Sequence, residues 1–113
     1  MPMRITRLAQ AQPFQPLGHA GVGPVRLQGG DDTPTDKVSV VLSHYLPGAG
    51  ADAAPQEAET IYVVVAGELV MQSEGTEATL GPYDSVHFTV GTVRTVANRT
   101  HLPASMLVIR ATS

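Results

Sequence analysis

Apolar positions along this chain recur with a period of two, in short stretches cut apart by turn residues. Residues 38–46 read V-S-V-V-L-S-H-Y-L, with apolar side chains at 38, 40, 42 and 46 on one parity and serines on the other. Successive side chains of an extended chain point to opposite faces, so this alternation predicts a half-buried strand. His44 shares the apolar parity, which predicts that it faces the interior. Residues 61–65 are an unbroken β-branched and aromatic run, the pattern of a strand covered on both faces. Gly67 and Glu68 make a turn, and residues 69–72 return as the second arm of a hairpin. A turn at 73–76 follows, then short strands around 78–80, 85–89, 94–98 and 106–110. Residues 47–55, rich in Gly, Ala and Pro, read as a loop. Turn signals about every eight to twelve residues predict an all-β sandwich or barrel. Helical patterning is weak: residues 8–12 suit a single turn that Pro13 ends.

The chain has 113 residues, enough for one domain with its own core. Pro13, Pro16, Gly18, Gly21, Gly23 and Pro24 break up the first thirty-five residues and leave room only for short strands near 5–8 and 25–27. This divides the domain into an arm, 1–35, and a barrel, 36–113. The arm either lies irregularly on its own barrel or pairs with a second subunit in a homodimer, which would cover an exposed sheet edge. A net charge of −3 and a single lysine, Lys37, argue against nucleic acid or an anionic membrane as partner. The absence of cysteine removes disulfides and thiolate zinc sites and fits a reducing compartment. The first residues carry no apolar run of signal-peptide length, and no stretch reaches the length of a membrane span, so the expected location is the cytoplasm.

A ladder of widely spaced residues is more specific. Gly48 is followed by Ala54, Gln56, Thr60 and Gly67, and downstream Gly91 is followed by Arg94 and Asn98. Fifteen residues, 68–82, separate the two groups. This spacing resembles the paired motifs of the cupin superfamily across roughly 38–110, and the resemblance implies a single-domain cupin, a double-stranded β-helix or jelly-roll barrel. In that family two histidines, a glutamate and a third histidine of these motifs bind a divalent metal. Here the corresponding places hold Ala54, Gln56, Thr60 and Arg94. A divalent cation needs several convergent nitrogen or oxygen donors, and a permanently charged guanidinium would repel it. No metal and no other cofactor is expected there.

Two readings of Arg94 stand. Its planar donor fork suits a carboxylate or phosphate on a small ligand, beside Gln56 and Thr60. Alternatively it points outward, or pairs with Glu57 or Glu59. Tyr62 lies two positions after Thr60 and should share its face. His44 and His87 are candidates for acid–base chemistry, or else hydrogen-bonded structural histidines, and the face of His87 is ambiguous from its neighbours Val86 and Phe88. His19 and His101 fall in loop-like sequence and read as surface residues. A relocated metal site would need His44, His87 and an acid to converge.

The resulting expectation is a small-molecule-binding cupin without the usual metal ligands, holding a small organic acid or related metabolite through Arg94. One alternative is a metal-independent isomerase, epimerase, cyclase or lyase, with His87 or His44 moving a proton and Tyr62 assisting. A second is a degenerate scaffold with no ligand.

Overall fold

β-Branched and aromatic stretches separated by glycine-containing turns form nine strands in the computed structural model, which describes residues 3–112. Met1, Pro2 and Ser113, at the ends of the two predicted segments, lie outside the described residues. The strands are β1 (Gln12–Pro13), β2 (His19–Gln28), β3 (Val38–Pro55), β4 (Thr60–Ala66), β5 (Leu69–Ser73), β6 (Thr76–Leu80), β7 (Ser85–Phe88), β8 (Val93–Ala97) and β9 (Ala104–Ala111). A 3-10 turn at Leu8–Gln10 is the one helical piece among the described residues. Every strand pair is antiparallel, in the order β6–β5–β8–β3–β9–β4–β7, with β2 added along β3 and β1 along β2. This is the all-β barrel that the turn spacing predicts.

The long strand β3 organises the barrel. Sequence ends it at residue 46, but it runs on for 18 residues through the stretch read as a loop. Its first part pairs with β9, from Val38↔Ala111 to Tyr45↔Ala104, and its last part with β8, from Gly50↔Ala97 to Pro55↔Val93. Small residues make the second half possible: a Cβ on Gly50 would lie 2.9 Å from the Val96 carbonyl oxygen. Along its other edge β3 receives β2, from His19↔Ala51 to Gln28↔Val40. The second expected arm strand, 25–27, is therefore part of a ten-residue strand, whereas residues 5–8 form none.

The facing of β3 is the opposite of the sequence expectation. Ser39, Val41, Ser43 and Tyr45 are buried, while Val38, His44 and Leu46 are exposed. His44 therefore lies on the outer face, hydrogen-bonded through Nδ1 to Ser105 Oγ at 2.8 Å. The inward face of β3 carries Ser39 and Ser43 beside Val41 and Tyr45, so on this strand parity and not polarity decides which side is covered. β4 likewise alternates, with Thr60, Tyr62 and Val64 buried and Ile61 exposed, so it is not covered equally on both faces.

Below the polar end, Val64, Leu69, Met71, Phe88, Val96 and Met106 form the apolar core. Full burial of each such side chain stabilises the fold by about 1.5–3 kcal/mol. Tyr62 packs edge-on against Phe88, with ring centres 5.3 Å apart. Asn98 fastens the 98–104 loop, donating from Nδ2 to the carbonyls of Tyr45 and Leu102 and accepting from the Thr100 N–H.

Candidate functional site

The polar end of the barrel holds a partly open cavity of about 100 Å³, lined among others by Ser43 and Tyr45 of β3, Tyr62 of β4, Arg94 of β8 and Arg110 of β9. Phe14, Pro16 and His19 close it from the amino-terminal side. Strand alternation positions these groups. Thr60 and Tyr62 share the inward parity of β4, and Arg94 stands opposite Ala54 across the β3–β8 ladder. Arg110 continues the inward series Ala104, Met106, Val108 of β9. A larger groove, about 490 Å³, lies between residues 6–12 and the turn at 29–33, away from these side chains.

A hydrogen-bond chain joins the inward groups. Arg94 donates from Nε to the Tyr62 hydroxyl at 2.8 Å and from Nη1 to the Asp52 carbonyl at 2.9 Å. Gln56 Nε2 donates to the same Tyr62 oxygen at 3.0 Å. That oxygen accepts two bonds, which leaves its own proton free for a third partner. Gln56 Oε1 lies 3.3 Å from Thr60 Oγ1 and accepts from Arg110 Nη2 at 3.5 Å, while Arg110 Nε reaches Thr60 Oγ1 at 3.4 Å. Gln56, Thr60 and Arg94 are only 2%, 0% and 6% exposed, so this is an interior polar network.

Its charge is positive. No carboxylate lines the cavity, and Asp52 contributes only its main chain. The ion pairs among the described residues, His87–Glu59 and Arg99–Glu77, lie on the surface and involve neither Arg94 nor Arg110. Burial pushes the Tyr45 hydroxyl well above the ordinary tyrosine range, reinforced by Tyr62 and partly offset by Arg94.

Both outward and acid-paired readings of Arg94 fail on this geometry: it is buried and bonds to a phenol and a carbonyl. Gln56, Thr60, Tyr62 and Arg94 are brought together as their spacing suggests. His44 and His87 are not. Both stand on the outer face, on β3 and β7, and His87 Nε2 contacts Glu59 Oε2 at 2.7 Å. They form no joint cluster, and no group of three metal-ligating side chains occurs among the described residues. At the four motif positions the donors are an amide, a hydroxyl and a guanidinium, with Ala54 contributing none. That set does not fit the divalent metal which the fold family implies.

Sequence reading missed Arg110, Tyr45 and His19. Alternation along β9 carries a signal for Arg110, because it shares parity with Met106 and Val108. His19, read as a surface residue, is half-buried at the start of β2 and lines the cavity.

A family model described as a cupin domain matches residues 41–110. The Mycobacterium tuberculosis protein named beta-D-galactosidase Rv1717 is 43% identical over 106 residues, covering 94% of this chain and 91% of that protein. The polyketide cyclase RemF of Streptomyces resistomycificus superposes with a TM-score of 0.85 at 13% identity, over 97% of this chain and 80% of that one. An RmlC-like cupin from Shewanella frigidimarina gives a TM-score of 0.80 at 14% identity, over 99% and 93% of the two chains. The two structural likenesses speak to fold alone. With the barrel and the motif spacing they leave one assignment: this chain belongs to the cupin superfamily.

Proposed function

We propose that this cupin takes a small hydroxylated organic anion, a sugar acid or similar carboxylate, into the barrel cavity. Arg94 and Arg110 hold the charge, while Tyr45, Tyr62 and Ser43 address the ligand's hydroxyl groups. One observation carries the reading: two guanidinium side chains line one interior cavity whose lining contains no carboxylate. A charge withdrawn from water is costly unless a counter-charge meets it, and a guanidinium matches a carboxylate with two parallel bonds. The reading has the protein working in the cytoplasm as a homodimer, without a metal at the family's usual position.

A thermal-shift screen tests it, with D-galacturonate, D-gluconate and small dicarboxylates against neutral D-galactose. Saturable shifts with the acids, abolished in Arg94→Ala and weakened in Arg110→Ala, are expected. Equal shifts with galactose, or acid-induced shifts that survive Arg94→Ala, would refute it.

The 43% identical relative, by its printed name, favours a second reading: hydrolysis of β-D-galactosides. Most glycoside hydrolysis uses two carboxylates flanking the scissile bond, although some enzymes use a tyrosine nucleophile. With no carboxylate in the lining, Tyr62, polarised by Arg94, is the group suited to that role here. Release of nitrophenol from nitrophenyl β-D-galactoside by wild type, lost in Tyr62→Phe, supports this second reading; no release rejects it.

A further inference from the structure

We infer that His19 is the proton-transfer group of the barrel cavity, acting directly on the bound acid. This rests on the anion-binding reading above. His19 opens β2 and pairs with Ala51, which is buried on the inward face of β3, so the two side chains share that face. On the other side of the same β3 segment stands β8, whose Arg94 donates to the Asp52 carbonyl, one residue from Ala51. His19 and Arg94 therefore flank one stretch of backbone and line one cavity.

The ring is also oriented for the task. Its Nδ1 lies 2.9 Å from the Leu17 carbonyl oxygen, which can only accept, so Nδ1 carries the hydrogen. In the neutral ring the lone pair then belongs to Nε2, the arrangement that general-base histidines use. None of the other histidines lines the cavity. When Nε2 takes a proton from a C–H or O–H of the ligand, imidazolium forms and the ligand gains a negative charge beside Arg94 and Arg110. Return of that proton to a different atom of the same ligand isomerises it, with no co-reactant.

The titratable and charged groups that share the cavity are Tyr45, Tyr62, Arg94 and Arg110. The Asp52 carboxylate stands nearby, with Oδ2 3.7 Å from where a Cβ on Gly18 would lie.

The test uses the whole chain and whichever acid of the panel binds most tightly. Ring signals of the four histidines are followed by NMR during the titration of wild type, which needs no variant to fold. The His19 signals should move with saturation while those of His44, His87 and His101 stay. Exchange of a ligand C–H for deuterium in D2O, catalysed by wild type, reads the proton transfer itself. His19→Gln should still bind and slow that exchange on the order of a hundredfold. Arg94-dependent binding with unmoved His19 signals, with no exchange in wild type, or with exchange that survives His19→Gln overturns this inference alone. No Arg94-dependent binding at any pH overturns the proposed ligand class, and the role of His19 with it.

Discussion

Tyr62→Phe removes one oxygen and strands two donors. In the wild type that oxygen receives Arg94 Nε at 2.8 Å and Gln56 Nε2 at 3.0 Å, and Tyr62 itself is only 3% exposed. Phenylalanine keeps the ring and its edge-on packing against Phe88, so the change isolates the hydrogen bonds. Leaving a buried donor unsatisfied costs about 1–3 kcal/mol, and more when the donor is charged. Cavity solvent can reach part of the site, so the two losses together should come to about 3 kcal/mol. For a chain of this size that lowers Tm by about 12 °C. Urea unfolding read by linear extrapolation measures it, and the double variant with Arg94→Met should show a coupling energy of about 1 kcal/mol or more. A loss below about 0.5 kcal/mol, or strict additivity with Arg94→Met, would refute the claim that Tyr62 holds the guanidinium in place.

Three further outcomes follow from the same structure. Gly67 has φ +74° and a Cβ there would fall 2.6 Å from the Pro103 carbonyl oxygen, whereas Gly75, at φ +77°, has open space. Gly67→Ala should therefore cost at least about 2 kcal/mol more than Gly75→Ala in urea unfolding, since only the backbone strain of about 1–2 kcal/mol is common to both. Because burial raises the titration of Tyr45 above that of an unfolded tyrosine, its stabilisation is complete below about pH 10 and is lost as pH climbs toward the folded value. Unfolding followed from pH 8 to 11.5 should fall more steeply in wild type than in Tyr45→Phe. His87 and Glu59 are 48% and 63% exposed, so His87→Ala should change stability by less than about 0.5 kcal/mol and leave ligand-induced thermal shifts intact.

The barrel was legible because its glycines report backbone geometry independent of what the side chains do. Gly48, Gly67 and Gly91 all adopt positive φ, and their spacing survives although every ligand between them has changed. Gln56, which lies between β3 and β4, was legible from the motif spacing, as were Thr60 and Arg94, and Tyr62 because a strand fixes which residues share a face. What failed was the assumption that apolar means inside. On β3 Ser39 and Ser43 share the buried face with Val41 and Tyr45 while Val38 faces out, which inverts the usual sign of the pattern. That inversion moved His44 to the surface and concealed Tyr45. His19 was hidden differently. Its neighbourhood of Gly and Pro reads as loop, and only pairing with the distant Ala51, which no local pattern encodes, makes it a strand residue of the cavity.

Strand β3 has a mechanical consequence for what the proposed binding cavity could accept. Because β8 and β9 are both stitched to this one continuous backbone, they cannot spread apart to admit a bulkier guest. Residues 14–18, ahead of β2, are held more lightly, mainly by the Phe14 N–H to Pro24 carbonyl bond, the Asp52 N–H to Gly18 carbonyl bond, and Arg26 stacked 4.1 Å from the Phe14 ring centre. On the proposed anion-binding reading, the size limit on a guest then lies in this short segment, and lengthening or shortening it should retune selectivity while the staves of the barrel stay as they are.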